Sequence, residues 1–211
     1  MLTLYYAPGS SSMASHIALE EAGAEYDVKF VDEDAGQQHT EAYLRINPRG
    51  KVPTLRLADG TVLVENIAIQ TYVAHTHPDA KLLPGDPVGE GRALSLMSFF
   101  TSALHPAFAH AWRPGRYTDE PSAEPGIRAK GRETFFGHCR EINALLAGRE
   151  WFLGPFSTVG CYGFIFYGSG TRVDLPMHEL RNYTAHKDRM LARPAVRRVL
   201  EREGRRPHLN N

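Results

Sequence analysis

The sequence predicts an α+β protein in which a small mixed domain precedes an all-α domain. Strand and helix patterns alternate along residues 1–79. The stretch "PDAKLLPGDPVG" at 78–89 then carries three prolines and two glycines, which interrupt any regular element. Beyond it the strand patterns fade, and apolar residues recur at helical spacings. We therefore expect an N-terminal domain at 1–79, a linker at 80–89 and a helical domain at 90–211.

The N-terminal domain is predicted to open with a β-α-β unit. Residues 2–6 read as a strand, and residues 13–22 place alanines four positions apart on one face of a helix. Gly23 is a typical helix stop, and residues 26–31 alternate in the manner of a second strand. Residues 40–46 then favour a short helix.

The rest of this domain is predicted to be a hairpin and a helix. Two apolar runs in "VPTLRLADGTVLVE" meet at Asp59-Gly60, which is a strong hairpin signal. The helical stretch "NIAIQTYVAHTHP" follows and ends at Pro78. The predicted order β-α-β-α-β-β-α is the thioredoxin-like arrangement, a small sheet with helices on its faces.

The sequence of the second half of the chain predicts helices and no strands. A polar loop at 113–126 separates the first two helical patterns. The helical patterns cover 88–112, 126–147, 158–167, 177–191 and 194–203. We therefore expect an all-α C-terminal domain.

Composition excludes several classes of protein. A hydrophobic content of 42% suits a packed core, and 24 Lys+Arg against 24 Asp+Glu gives no general attraction to nucleic acid or to an anionic membrane. No stretch reaches the ~18 apolar residues of a membrane helix, and no signal peptide is visible. Cys139 and Cys161 form no disulfide framework, and the histidines have no metal-binding spacing. These observations predict a cytoplasmic protein without a metal, nucleic-acid or membrane partner.

Three consecutive serines mark a candidate anion site. In "YYAPGSSSMASHIALEEAG", residues 5–23, a strand breaks at Pro8-Gly9 and a helix follows Ser10, Ser11 and Ser12. Hydroxyl groups and backbone N–H groups at the start of a helix bind anions. The alternative is that one serine caps the helix and the others fill a tight turn.

Five stretches resemble, in order and spacing, those of the cytosolic glutathione S-transferases, most closely the bacterial beta-like class. They are "LYYAPGSSSMASHIALEEAG", "YLRINPRGKVPTL", "DGTVLVENIAI", "LHPAF" and "RPAVRRVL", and they span nearly the whole chain. The resemblance implies a two-domain homodimer with a glutathione site on the first domain. It also implies an enzyme that conjugates glutathione to a small hydrophobic electrophile.

The resemblance assigns the glutathione site to two turns. It implies a cis bond at Val52-Pro53, which leaves the backbone of Val52 to pair with the cysteinyl unit in the manner of an added strand. Glu65 would meet the ligand's ammonium group. Asn66 would cap the following helix, whose N–H groups would meet the γ-glutamyl carboxylate. Lys51 and Gln38 are candidates for the glycyl carboxylate.

The resemblance also assigns the chemistry. Many beta-like members carry cysteine at the position of Ser11, whose hydroxyl would here donate to the glutathione thiolate, the nucleophilic form of the thiol. Ser10, Ser12 and Tyr6 remain alternatives to Ser11 as the donor. His105 would approach the sulfur from the helical domain. The electrophile pocket would draw on Phe108, His110, Trp112 and Tyr162.

Two departures from the family pattern keep other functions open. The family usually has Ser/Thr-x-x-Asp before a central helix. Here Ser157 is present, but Gly160 stands at the position of the aspartate, which predicts a less ordered helix. This change and the missing cysteine are compatible with a binding or regulatory module that has no turnover. A glutathione-dependent isomerase is a further alternative, although His16 stands where those enzymes carry arginine.

Overall fold

The computed structural model describes residues 1–204. The chain divides into two compact units. The first unit contains Met1–Glu90 together with a C-terminal segment that begins at Leu191, and the second unit contains Gly91–Met190. This grouping differs from the division expected from the sequence, which placed all of 90–211 in the helical domain.

The first unit is built on a four-stranded mixed sheet. Its strands are β1 (Leu2–Tyr6), β2 (Tyr26–Phe30), β3 (Thr54–Arg56) and β4 (Val62–Val64). They lie in the order β2-β1-β3-β4, with β1 parallel to β2 and the other two pairs antiparallel. Three helices complete this part of the chain: α1 (Ser12–Glu21), α2 (Glu41–Leu44) and α3 (Asn66–Thr76). The thioredoxin-like order predicted from the sequence is confirmed.

The two faces of this sheet bury different side chains. Leu4 of β1, Ile17 of α1 and Ile69 of α3 are fully buried, and α1 packs against α3. Side chains alternate along a strand, so Tyr5 points to the opposite face. There it packs with Val31 and Tyr43. Both faces of the short sheet therefore contribute to the core.

The second unit is helical. α4 (Pro87–Phe99) leads through a π-helical segment, Phe100–Leu104, into α5 (His105–Trp112). It is followed by α6 (Glu124–Leu145), α7 (Thr158–Arg172) and α8 (Arg181–Ala192), and the chain then continues into α9 (Pro194–Arg202). None of the helices within residues 1–204 has the length and apolar character that crossing a membrane requires.

α7 is continuous, and two of its glycines lie close to side chains outside the helix. A Cβ atom on Gly163 would lie 2.9 Å from the ring of Phe152, and one on Gly170 would collide with the side chain of Met177. Ser157 precedes the helix without any side-chain capping bond. The helix nevertheless runs to Arg172, beyond the predicted end at residue 167. The structure therefore contains α7 with Gly160 in its first turn and without a capping bond from Ser157.

The last helix belongs with the first unit because it is docked on α1. Val196 and Val199 of α9 are buried, and α9 packs against α1. The guanidinium group of Arg193 donates to Glu21 at 2.8 Å, and Arg198 pairs with Glu20. An apolar stripe flanked by ion pairs thus holds α9 to the N-terminal fold.

Candidate functional site

The strand topology brings the ends of three segments to one edge of the sheet. β1 and β4 both run antiparallel to β3, so β1 and β4 run in the same direction. Their carboxyl ends therefore lie at the same edge as the amino end of β3. The serine loop follows β1, Val52-Pro53 precedes β3, and Glu65 follows β4. These three segments converge for this reason, although they are far apart in the sequence.

A tight turn connects β1 to α1. Gly9 has a φ of 70°, a conformation that glycine adopts without a steric penalty. The N–H of Ser10 donates to the carbonyl of Ala7 at 3.1 Å. Ser12 reinforces the turn, because its hydroxyl donates to the Ala7 carbonyl at 3.2 Å. The hydroxyls of Ser10 and Ser12 are also within hydrogen-bond distance of each other, at 2.7 Å. Both side chains therefore serve the turn itself.

Ser11 differs from its two neighbours. It is the N-cap residue of α1, its side chain is partly exposed, and it makes no side-chain capping bond. Within residues 1–204 its hydroxyl has no hydrogen-bond partner. Ser11 is thus the serine whose hydroxyl is available to an incoming group.

Tyr6 and His16 are buried below this loop. Tyr6 is 7% exposed, and its ring lies 5.4 Å from the ring of His16. Burial raises the pKa of the Tyr6 phenol, and the charge of Glu203 raises it further. His16 is fully buried and pairs with Glu203 at 2.8 Å. His16 therefore cannot contact a substrate in the manner expected of an isomerase residue at this position.

The turn before β3 presents the backbone N–H and C=O of Val52. The Val52-Pro53 bond is cis, as expected. The carbonyl of Lys51 accepts from the Tyr43 hydroxyl and from the Asn47 side-chain amide, each at 2.7 Å. These bonds fix the turn. The N–H and C=O of Val52 make no backbone hydrogen bond among the described residues, and Val52 is only partly buried. An extended peptide could pair with them.

Lys51 and Gln38 occupy different environments. Lys51 is exposed, and its ammonium group has no ion-pair partner in the part of the chain that is described. Gln38 is 7% exposed, and its amide donates to the carbonyl of Glu33 at 3.3 Å. Its Oε1 is buried without a partner within residues 1–204. The side chain of Gln38 is therefore directed into its own loop, while that of Lys51 reaches solvent.

Glu65 occupies a strained backbone conformation. Its φ of 73° lies in the region that side-chain-bearing residues rarely adopt, at a cost of about 1–3 kcal/mol. Its carboxylate is exposed and accepts from the guanidinium of Arg49 at 2.9 Å. Strained residues cluster at binding sites. Sequence reasoning did not identify Arg49, because the contact joins two loops that are 16 residues apart.

The prediction that Asn66 caps α3 is wrong. Glu65 is the N-cap residue, and Asn66 is the first residue of the helix. Asn66 is 5% exposed, and its Oδ1 accepts from the hydroxyl of Ser15 at 2.7 Å. The side chain is therefore used to join α3 to α1. The N–H groups at the start of α3 remain the groups that can meet a carboxylate.

Four candidate residues of the helical unit lie in different environments. His105 is the first residue of α5, is partly exposed, and its ring lies 5.8 Å from that of Phe166. The rings of Phe108 and Trp112 are stacked, with an angle of 9° between their planes, and Trp112 is 38% exposed. Tyr162 is 2% exposed, and its hydroxyl is 3.2 Å from that of Thr101. Tyr162 is thus a core residue, which differs from its expected place in a pocket wall.

The cysteines and histidines form no second reactive centre among residues 1–204. No group of three His, Cys, Asp or Glu side chains in this described range could hold a metal ion. Cys139 and Cys161 are both buried. Burial raises the pKa of Cys139 far above its ordinary value. Because the thiolate is the nucleophile, this thiol is inert.

Comparison with known proteins agrees with this geometry. Residues 1–75 match the family model for the glutathione S-transferase N-terminal domain. Glutathione S-transferase GstA of Escherichia coli O157:H7 is 31% identical over 207 residues, which cover 96% of this chain and 99% of GstA.

Solved structures give the same result. A glutathione transferase homologue from Sulfitobacter with bound glutathione superposes with a TM-score of 0.91 and is 33% identical, over 96% of this chain and 98% of the homologue. The bacterial beta-class glutathione S-transferase of Sphingomonas chungbukensis has a TM-score of 0.84 and 33% identity, with the same coverage of 96% and 98%. The chain therefore belongs to the glutathione S-transferase family.

Proposed function

We propose that the protein binds glutathione on its first unit and conjugates it, through the thiol sulfur, to a small hydrophobic electrophile. The observation that carries this proposal is the convergence of three groups at one edge of the sheet. These groups are the available hydroxyl of Ser11, the unpaired backbone of Val52 and the exposed carboxylate of Glu65. They match the thiol, the peptide backbone and the ammonium group of one tripeptide.

The proposed binding mode uses each group for one part of glutathione. The N–H and C=O of Val52 pair with the cysteinyl unit, as an added strand would. Glu65 accepts from the ammonium group of the γ-glutamyl end, and the N–H groups at the start of α3 meet its carboxylate. Lys51 is the exposed cation for the glycyl carboxylate, while the buried Gln38 supports its own loop.

Thiol activation follows from charge stabilisation. A thiol with an ordinary pKa of ~8.5 is mostly protonated at neutral pH. A hydrogen bond from Ser11 and the N-terminus of α1 both favour the thiolate, which lowers the pKa of the bound thiol. With a chlorinated aromatic compound, the sulfur lone pair forms the C–S bond and the C–Cl bond then breaks to release chloride. A serine hydroxyl cannot form a mixed disulfide with glutathione, so conjugation does not pass through a covalent intermediate at residue 11.

Other parts of the proposal concern the electrophile and the assembly. We assign Phe108, His110 and Trp112 of the helical unit to the electrophile, and His105 to the glutathione sulfur. We also assign a cytoplasmic location and a two-fold dimer. Sedimentation equilibrium tests the dimer, which requires twice the chain mass of 23.5 kDa.

The deciding experiment has two arms. The protein is first applied to immobilised glutathione and eluted with free glutathione, and it is then assayed with a chlorinated aromatic compound and a wider panel of electrophiles. Retention with turnover supports the transferase. Retention without turnover on the whole panel supports a binding module instead, and failure of retention contradicts both functions.

A further inference from the structure

The last described helix, α9, ends in a buried acid. Glu203 is the C-cap residue of α9, and its side chain is fully buried. Gly204 follows with a φ of 63° and ends the helix. The C-terminus of a helix carries partial negative charge, so a carboxylate there is electrostatically unfavourable. Burial adds a further cost unless the carboxylate is fully hydrogen-bonded. The position of Glu203 therefore depends on specific partners.

Those partners lie on α1 and in the loop that contains the proposed thiol-activating serine. Oε1 of Glu203 is 2.8 Å from Nδ1 of His16, and Oε2 accepts from the N–H of Gly9 at 3.1 Å. Because a carboxylate only accepts, Nδ1 of His16 carries the hydrogen. The two oxygens thus connect α9 to α1 and to the β1–α1 turn at the same time.

We propose that Glu203 is a positioning residue for thiol activation. Gly9 lies two residues before Ser11, and its N–H is the backbone group that Glu203 holds. A fixed Gly9 sets where the turn enters α1, and therefore where the Ser11 hydroxyl and the first N–H groups of α1 point. Glu203 is itself buried and does not touch the ligand. The inference rests on the proposed function, since it concerns the same thiol.

Several titratable groups surround this contact. Tyr6 of β1 contacts His16, and Glu203 influences its phenol. The hydroxyl of Tyr26 of β2 donates to Glu20 at 2.6 Å and accepts from Arg202 at 2.9 Å. These groups belong to the network that docks α9, and Glu203 is the member of it whose carboxylate accepts from the N–H of Gly9.

Two other residues of α9 provide matched controls. Glu201 lies on the same helix and is exposed, so Glu201→Gln removes the same charge without touching the loop. Arg198 pairs with Glu20 on α1, so Arg198→Gln loosens the docking of α9 but leaves the carboxylate at Gly9. If Glu203 served only to dock α9, the activity of Glu203→Gln would change in the same way as that of Arg198→Gln.

The first test compares the pH dependence of kcat/KM for the electrophile, measured at saturating glutathione, among the parent, Glu203→Gln and both controls. We expect Glu203→Gln to lower kcat/KM about tenfold near neutral pH and to move the acid limb upward by about one pH unit, with recovery at high pH. In both controls the acid limb of the pH profile should stay at the parent's position. The inference is overturned if Glu203→Gln matches Glu201→Gln, or if its loss is equal at all pH values and matches Arg198→Gln. An inactive parent would instead contradict the proposed function.

The second test uses the parent protein and does not depend on the folding of a variant. Amide hydrogen exchange at Gly9, followed by NMR, should be slowed at least about a hundredfold relative to an unprotected amide. Fast exchange at Gly9 would overturn the inference, whatever the activity of the variants.

Discussion

The hydroxyl oxygens of Ser10 and Ser12 lie 2.7 Å apart and join both side chains to the turn before α1. Ser12 also contacts the N–H and the C=O of Ala7, each at 3.2 Å. Removal of either hydroxyl therefore disturbs the turn. Removal of the Ser11 hydroxyl leaves these contacts in place, so the roles of the three serines can be separated by experiment.

Ser11→Ala is expected to lower turnover near neutral pH by raising the pKa of the bound glutathione thiol. A hydrogen bond to a charged group contributes ~1.5–3 kcal/mol, which corresponds to roughly one to two pH units. High pH should restore part of the activity, because the thiol then ionises unaided. The measurement is the pH dependence of kcat, which reports groups in the bound complex.

Three comparison variants identify the donor in the same assay: Ser10→Ala, Ser12→Ala and Tyr6→Phe. If Ser11→Ala keeps the parent's profile and one of these shifts it, that residue is the donor. If none of the four changes shifts the profile, the backbone N–H groups at the start of α1 activate the thiol.

Glu65→Gln is expected to weaken glutathione binding by ~2 kcal/mol, or roughly thirtyfold, because the ligand's ammonium group loses its charged partner. Glutamine keeps the length of the side chain. Arg49→Gln is the control: it frees the Glu65 carboxylate from its ion pair and should not weaken binding. Calorimetry that finds equal affinity for Glu65→Gln and the parent would remove Glu65 from the site.

The stability of the helical unit should fall with acidity because of His186. Burial, together with the charge of Arg189, lowers the pKa of His186 from 6.5 to about 3. Between these two pH values the unfolded chain binds a proton that the folded chain does not. The free energy of unfolding therefore decreases by up to about 1.4 kcal/mol for each unit by which the pH falls. This contribution is complete above about pH 6.5 and is lost as the pH falls toward about 3.

His186→Phe should flatten this pH dependence. The rings of Trp151, Phe152 and Tyr183 surround the imidazole, and both of its nitrogens lack a hydrogen-bond partner among the described residues. Urea unfolding at several pH values compares this variant with the parent and with a change at the exposed His178. An equal slope for His186→Phe and the parent would show that other groups control the acid response.

Gly163→Ala should destabilise the protein, although alanine favours helices. The added methyl group would lie 2.9 Å from the Phe152 ring, and such overpacking costs about 1–3 kcal/mol. Gly137 of α6 is the matched control, since its added Cβ would meet nothing within 4 Å. Gly137→Ala should stabilise by about 0.5–1 kcal/mol. Urea unfolding measures both, and a stabilising Gly163→Ala would contradict the packing explanation for α7.

Local patterns in the sequence predicted most of the fold. The hairpin at Asp59-Gly60 and the helix stop at Gly23 are encoded by adjacent residues, and the structure contains both. Gly160 favoured an irregular start for α7, but the structure contains the helix, and the close neighbours of its glycines Gly163 and Gly170 are Phe152 and Met177, which lie outside it. Local propensity cannot register such contacts.

The same distinction applies to the candidate site. The positions of Val52-Pro53 and Glu65 follow from motifs, and strand topology brings them together. Asn66 was assigned as a cap because its residue type favours capping, but Ser15 on another helix decides where its side chain points. Glu203 was missed because it is 187 residues from His16. No local pattern reports a contact over that distance.

The contact between Gly9 and Glu203 also determines the order in which the chain can complete its folding during synthesis. It joins residues 194 positions apart, and the whole second unit lies between them. The ribosome therefore releases residues 91–190 before the carboxylate that the first loop requires. Long-range contacts form late, because closing a long loop costs entropy. The unit that begins the chain is thus completed last, and in a nascent chain halted before residue 203 the serine loop has no buried anchor.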